Sequence, residues 1–189
     1  MKLFLLHKSN NENGMQSNIL LDAIEVAIQE YQKIIESKKK SDIPQADDLD
    51  KIMEIPCLVS QGVDTNYRIA THFQFSRRQS SYYIKAAEIL GLVGTNRNHY
   101  YLTDEGKKYV QLSIKMQKKY FAKLLLEFPV IQKLVYNLSV DQNKRFTKND
   151  LVEILKGNST LTGQTLTRRA HTISKWLEWV EANMDLVEM

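Results

Sequence analysis

Cysteine is almost absent. One Cys57 in 189 residues rules out an internal disulfide, and without a C-x-x-C pair neither a zinc finger nor a thioredoxin-like site can form. Cys57 stands among Ile55, Pro56 and Leu58 and reads as a small buried apolar residue, which predicts a reducing, cytoplasmic setting. Glycine is scarce too. The seven glycines spell neither G-x-G-x-x-G nor G-x-x-x-x-G-K-[ST], so nucleotide binding has no support. The four histidines, His7, His72, His99 and His171, show no metal-ligand spacing such as H-x-x-x-H. No nucleophile stands beside a base in any recognised spacing. Long apolar runs are missing as well: Met1-Lys2-Leu3-Phe4-Leu5-Leu6 gives way at once to His7-Lys8. A secretion signal needs about 7–15 apolar residues and a membrane span about 20. The sequence therefore predicts no catalytic residue, no metal, no cofactor and no membrane association.

What the chain has is ordinary globular composition and an uneven charge. Hydrophobic residues make up 43% and charged residues 25%, with a net charge of +4. Residues 1–65 carry 7 basic and 11 acidic side chains, residues 66–119 carry 10 and 3, and residues 120–189 carry 9 and 8. Positive charge is thus concentrated in the middle third, as phosphate attraction requires, although RNA or an acidic protein would be attracted equally.

That middle third organises the chain. In a helix starting after Ser76, Tyr83, Ala86, Ala87 and Leu90 fall on one apolar stripe, while Arg78, Ser81, Lys85 and Glu88 form a polar one. Ser76 is the expected N-cap and Gly91 the expected stop. A short helix over 66–73 precedes it, expected to bury Tyr67, Ile69, Ala70 and Phe73, and Gln74-Phe75-Ser76 forms the turn between them. Gly94-Thr95-Asn96-Arg97-Asn98-His99 then reads as a polar turn before the strand-like Tyr100-Tyr101-Leu102. Thr103 is the expected cap of a following helix, with Asp104 and Glu105 in its first turn.

Around this core the chain reads in three parts. Residues 1–46 hold a helix over 17–40 and a linker. Its seam of Leu20, Ile24, Ala27, Tyr31 and Ile34 docks either on its own domain or on a partner, through which a homodimer or a nuclease partner would assemble. Residues 47–112 begin with a helix containing Pro56, which predicts a kink or an early stop. Residues 113–189 hold a helix ended or restarted by Pro129, one capped by Thr147 with Asp150 three positions on, and a long final helix. That last helix places Leu166, Ala170, Ile173, Leu177 and Val180 on one face, and Gln164, Arg168, His171, Lys175 and Glu178 on the other. The fold class expected is mainly α with a small β-hairpin wing: a winged helix-turn-helix followed by a second helix-turn-helix unit whose wing, confined to 185–189, would be missing or truncated.

A helix entering a major groove about 12 Å wide leads with its N-terminal residues. Arg77, Arg78 and Gln79 stand there. Arginine pairs bidentately with guanine and glutamine with adenine, while Ser80 and Ser81 suit phosphates. Tyr82 and Lys85 extend the same contact zone. Arg97, Asn98 and His99 would serve the wing, and Gln164, Thr165, Arg168, Arg169 and Lys175 the second unit. The sequence thus points to a non-enzymatic, sequence-specific or sequence-preferring binder of double-stranded DNA. The alternative, from another class, is a protein-interaction adaptor using the same scaffold and the N-terminal helix.

These residues resemble a known family. Arg78-Gln79-Ser80-Ser81-Tyr82-Tyr83, Gly91-Leu92-Val93 and Leu102-Thr103-Asp104-Glu105-Gly106 match the R-Q-x-x-Y-Y run, G-L-V exit and L-T-x-x-G signal of a winged-helix module attached to many type II restriction endonucleases. The stretch from Leu161-Thr162-Gly163 through Arg168-Arg169 to Trp176 and Trp179 is similar to that module's second half. The resemblance, over 47–183, implies tandem units that bind or position DNA, as the recognition module or subunit of a restriction system or as a transcriptional regulator. It does not extend to a nuclease. The E-x-K triplets at Glu36-Ser37-Lys38 and Glu105-Gly106-Lys107 follow no Pro-Asp pair, and two-metal chemistry needs several converging carboxylates.

Overall fold

The computed structural model describes residues 42–140 and 147–183. The helix expected over 17–40, its heptad seam and the stretch 185–189 lie outside the described residues. The chain divides into two compact units, one of Pro44–Phe121 and one that includes everything from Ala122 onward.

The first unit opens with α1 (Leu49–Ser60), capped by the Asp48 side chain on Lys51 N. Ile52, Ile55 and Val59 form its buried side, as their spacing predicts. Pro56 does not stop it: the helix runs on through Ser60 with Pro56 buried inside. Proline removes one N–H, and burial of its ring among apolar neighbours offsets part of that cost. Helix α2 (Asn66–Phe73) is capped by Thr65 Oγ on Arg68 N. Gln74, at φ 56°, turns the chain sharply, and Ser76 caps α3 (Arg77–Ile89). The expected stop at Gly91 takes the left-handed φ of 74° that glycine tolerates without strain.

A two-stranded antiparallel hairpin follows, β1 (Val93–Asn96) against β2 (His99–Leu102), with Val93 opposite Leu102 and Asn96 opposite His99. The turn is therefore Arg97-Asn98 alone, and His99 is already in the strand. Helix α4 (Asp104–Val110) starts at Thr103, whose Oγ accepts from Gly106 N. The core of this unit comprises Ile52, Ile55, Ile69, Ile84, Leu92 and Tyr109, all fully buried. Tyr83 packs beside it and donates its hydroxyl to Asp47 at 3.1 Å, and burial pushes the phenol up to about 12. Cys57 is half-buried, and burial raises its thiol above the ordinary value, which lowers the thiolate fraction.

Helix α5 (Ile114–Leu126) crosses the division between the units. In the second unit Pro129 occupies the first position of α6 (Pro129–Val140), where its missing N–H costs nothing. Helix α7 (Lys148–Asn158) carries the capping box that the sequence shows, Thr147 and Asp150 bonding reciprocally. Helix α8 (Gly163–Ala182) buries Leu166, Ala170, Ile173, Leu177 and Val180, the five positions its period picks out. Trp176 is fully buried against Phe128, ring centroids 5.6 Å apart. No described helix is long and apolar enough to cross a membrane. The chain is mainly helical, with one small antiparallel hairpin among the described residues.

Candidate nucleic-acid interface

Helix α3 is held from three sides, which fixes where its polar stripe points. Its buried side, Tyr83, Ala86, Ala87 and Leu90, packs into the first unit's core. Its start is locked by a capping box: Ser76 Oγ accepts from Gln79 N, and Gln79 Oε1 accepts from Ser76 N, both at 3.2 Å. Asn66, from α2, donates through Nδ2 to Arg77 O at 3.2 Å and to Ser81 Oγ at 2.7 Å. The buried Ser80 hydroxyl donates to Asn66 O at 3.4 Å. The turn between α2 and α3 is thereby stitched by side chains as well as by backbone.

This stitching separates the sequence-nominated residues into two groups. Gln79 and Ser80 are structural: one amide oxygen serves the cap, and one hydroxyl is buried. Ser81 Oγ is shared between Asn66 and Arg77 O. Arg77, Arg78 and Lys85 are exposed and Tyr82 is half-buried. The Arg78 Nε donates to the Tyr82 hydroxyl at 2.6 Å, with the guanidinium carbon 5.8 Å from the ring centre. The Arg77 guanidinium lies 5.4 Å from the centre of the Tyr67 ring. Lys85 reaches Glu88 at 3.8 Å, and Glu88 also accepts from Thr95 on β1.

Tyr67 corrects one expectation. It is 62% exposed, not buried. Ile69, Ala70 and Phe73 share one helix side, and at about 100° per residue Tyr67 falls well off it, so the signal was present in the spacing. Phe73 itself is half-buried against Phe75 at 5.4 Å.

The hairpin is tied to the loop before α2 through Asp64. The Asp64 backbone oxygen accepts from Tyr100 N at 2.7 Å, and its carboxylate meets His99 Nδ1 at 2.9 Å and Arg68 at 3.5 Å. This leaves Arg97, with φ 56°, and Asn98 exposed at the tip. His99 holds the Asp64 carboxyl below its ordinary value, with Arg68 adding to the effect. A carboxyl depressed in the folded state contributes stability above its unfolded pKa and loses it as pH falls through the folded one. The stability this carboxylate contributes should therefore be present above the ordinary carboxylate range and be lost as pH falls below it. Replacing His99 by Ala should move the Asp64 carboxyl upward in an NMR titration, and an unmoved carboxyl would show the pair to be absent in solution.

In the second unit, Gln164, Thr165 and Arg168 are exposed at the start of α8 and Arg169 is half-buried. Lys175 bonds Glu178 at 2.7 Å and holds that carboxyl below its ordinary value. A cleft of about 310 Å³ beside them is lined by Thr147, Lys148, His171, Ser174 and Glu178, among others. Glu105, in the E-x-K triplet, sits in the first turn of α4 and bonds Lys108 and Tyr120. Among the described residues no three His, Cys, Asp or Glu side chains gather into a metal-binding group.

No curated protein and no solved structure matches the chain. A family model does, over residues 51–185, a span that takes in the capped α3, the hairpin pinned by Asp64 and the whole of α8. By that match the chain belongs to the DUF7226 family, described as a domain of unknown function.

Proposed function

We propose that this protein binds double-stranded DNA through a winged helix-turn-helix, with α2 and α3 as its two helices and β1–β2 as the wing, followed by a second helix-turn-helix unit in α7 and α8. The observation that carries the reading is the exposed row of Arg77, Arg78 and Lys85, with the half-buried Tyr82 among them, along a helix whose opposite side is buried. Its 13 residues give a rod about 20 Å long, and a helix fits the width of a major groove. The excess of basic residues over 66–119 supplies the phosphate attraction. Arg97 and Asn98 extend the contact to the backbone or minor groove. Arg168, with Gln164 and Thr165, makes the equivalent contact in the second unit. The resemblance to modules attached to type II restriction endonucleases supports a role in DNA recognition within a restriction system or in transcription regulation, and the single cysteine fits a cytoplasmic setting. A homodimer or a nuclease partner would join through the stretch 17–40 whose sequence predicts a helix, and this chain itself performs no catalysis.

Fluorescence anisotropy of a labelled random-sequence duplex tests the reading. A protein neutralising about five phosphates should lose roughly 500-fold in affinity between about 50 and about 200 mM salt. A flat salt response, or no binding at the lower salt, would sink it. The adaptor reading would then take its place, favoured by Ile114 and Met116, which are 74% and 47% exposed at the start of α5.

A further inference from the structure

We propose that the α3 face reads guanine, not adenine, and that Tyr67 and Tyr82 orient the two guanidinium groups that do so. This rests on the DNA-binding reading above and adds its base preference.

An adenine-reading glutamine must present both its amide oxygen and its amide nitrogen to the base edge. The Gln79 oxygen is engaged by Ser76 N and by Ser76 Oγ, each at 3.2 Å. Reading adenine would break the reciprocal half of the capping box and leave only the Gln79 N bond to Ser76 Oγ. The Gln79 amide cannot serve the box and a base edge together, and the boxed state is the one the fold holds. Ser80 is withdrawn as well, being buried.

Two arginines remain, each held by a tyrosine in a way that leaves base-reading donors over. Guanine offers O6 and N7 to a pair of N–H groups. Arg78 commits its Nε to the Tyr82 hydroxyl at 2.6 Å, which leaves the Nη1/Nη2 edge as a two-donor fork. Arg77 lies over the Tyr67 ring, so its face is used while its edges stay available among the described residues. As neighbours on a helix the two point about 100° apart, so each addresses its own base. Long side chains held in place before binding lose less rotamer freedom on binding.

The two tyrosines work by different atoms, and this makes the proposal testable. Tyr67 contributes a ring face, which phenylalanine retains. Tyr82 contributes a hydroxyl, which phenylalanine lacks, besides a ring that phenylalanine keeps. Tyr67 is mostly exposed and Tyr82→Phe is conservative, so these variants fold.

The experiment selects bound duplexes from a random library with the full chain, then rebuilds the enriched duplex with 7-deazaguanine or inosine at its guanines. 7-Deazaguanine lacks the N7 acceptor, whereas inosine keeps N7 and O6. Each contacted guanine replaced by 7-deazaguanine should cost about ten-fold in affinity, and inosine less than about two-fold. Tyr67→Ala should shrink the 7-deazaguanine penalty to below about three-fold at one guanine and Tyr82→Phe at the other, while Tyr67→Phe should keep both whole. Enrichment of duplexes without guanine, indifference to 7-deazaguanine, or a full penalty in Tyr67→Ala overturns the proposal while DNA binding stands. Absence of any duplex binding at about 50 mM salt overturns the DNA reading and this inference together.

Discussion

Replacing Arg77 and Arg78 together by Ala is expected to weaken duplex binding by about a hundred-fold, with little change in thermal unfolding. Both side chains are exposed beyond the Ser76 cap, and neither contributes to the core. A base-reading arginine is worth about 1–3 kcal/mol, and two at about 1.4 kcal/mol each amount to about a hundred-fold. Stability should not fall in proportion. Cationic side chains in the first turn of a helix oppose its dipole, and α3 has no acidic residue there to compensate. Removing them relieves a small local conflict, worth about 0.3–1 kcal/mol for each charge at most. A residue pair that the helix would be better without, and that faces solvent, is placed for something outside the helix. Anisotropy titration beside a thermal melt measures both quantities. A folded double variant with unchanged affinity would take these arginines out of the interface.

Gly106→Ala is expected to destabilise the first unit by more than about 3 kcal/mol, the range of severe overpacking. A Cβ at Gly106 would stand 1.9 Å from the Leu92 carbonyl oxygen and 3.0 Å from its carbon. The obstacle is backbone, so no rotamer change relieves it. The same carbonyl accepts from Thr103 Oγ at 3.2 Å, and Thr103 Oγ in turn accepts from Gly106 N at 2.9 Å. The chain leaving α3 and the chain entering α4 are thus pressed together at one glycine, which is also the last residue of the L-T-x-x-G signal. Gly157 is the matching control. It lies in α7, and a Cβ there would meet nothing within 4 Å. Gly157→Ala should therefore stabilise by up to about 1 kcal/mol through helix propensity. Urea unfolding of the full chain measures both. If Gly106→Ala unfolds at the wild-type midpoint, the close approach does not exist in solution.

The features legible in the sequence were those set by neighbours along the chain. The caps at Ser76, Thr103 and Thr147 are read from a hydroxyl before an apolar period, and each makes its bond. The stripes of α3 and α8 are read from spacing alone, because one-sided burial imposes a 3.6-residue period. The roles within the site were harder. Gln79 beside two arginines reads as a third reader of bases, yet Ser-x-x-Gln is also the capping-box pattern, and the local bond is formed without a ligand. Ser80 looks like its neighbour Ser81, but only the helix phase tells which hydroxyl is buried. Tyr67 misleads because tyrosine is apolar enough to count as core, while its position opposite Ile69 places it in solvent beside Arg77. Asp64 and His99 are 35 residues apart, and no local pattern joins them.

That last link has a consequence for how such chains diverge. The hairpin is not an interchangeable part, because it is tied through His99 and Tyr100 to Asp64 in the loop before α2. Replacing 93–102 with the hairpin of a relative would leave Asp64 facing an unmatched residue. Positions 64 and 99 should therefore change together across lineages, as should 66 and 81, where Asn66 holds Ser81. A chimera that carries residue 64 along with its hairpin inherits both ties, and one cut at the strand boundaries alone keeps the backbone bond and loses the side-chain one.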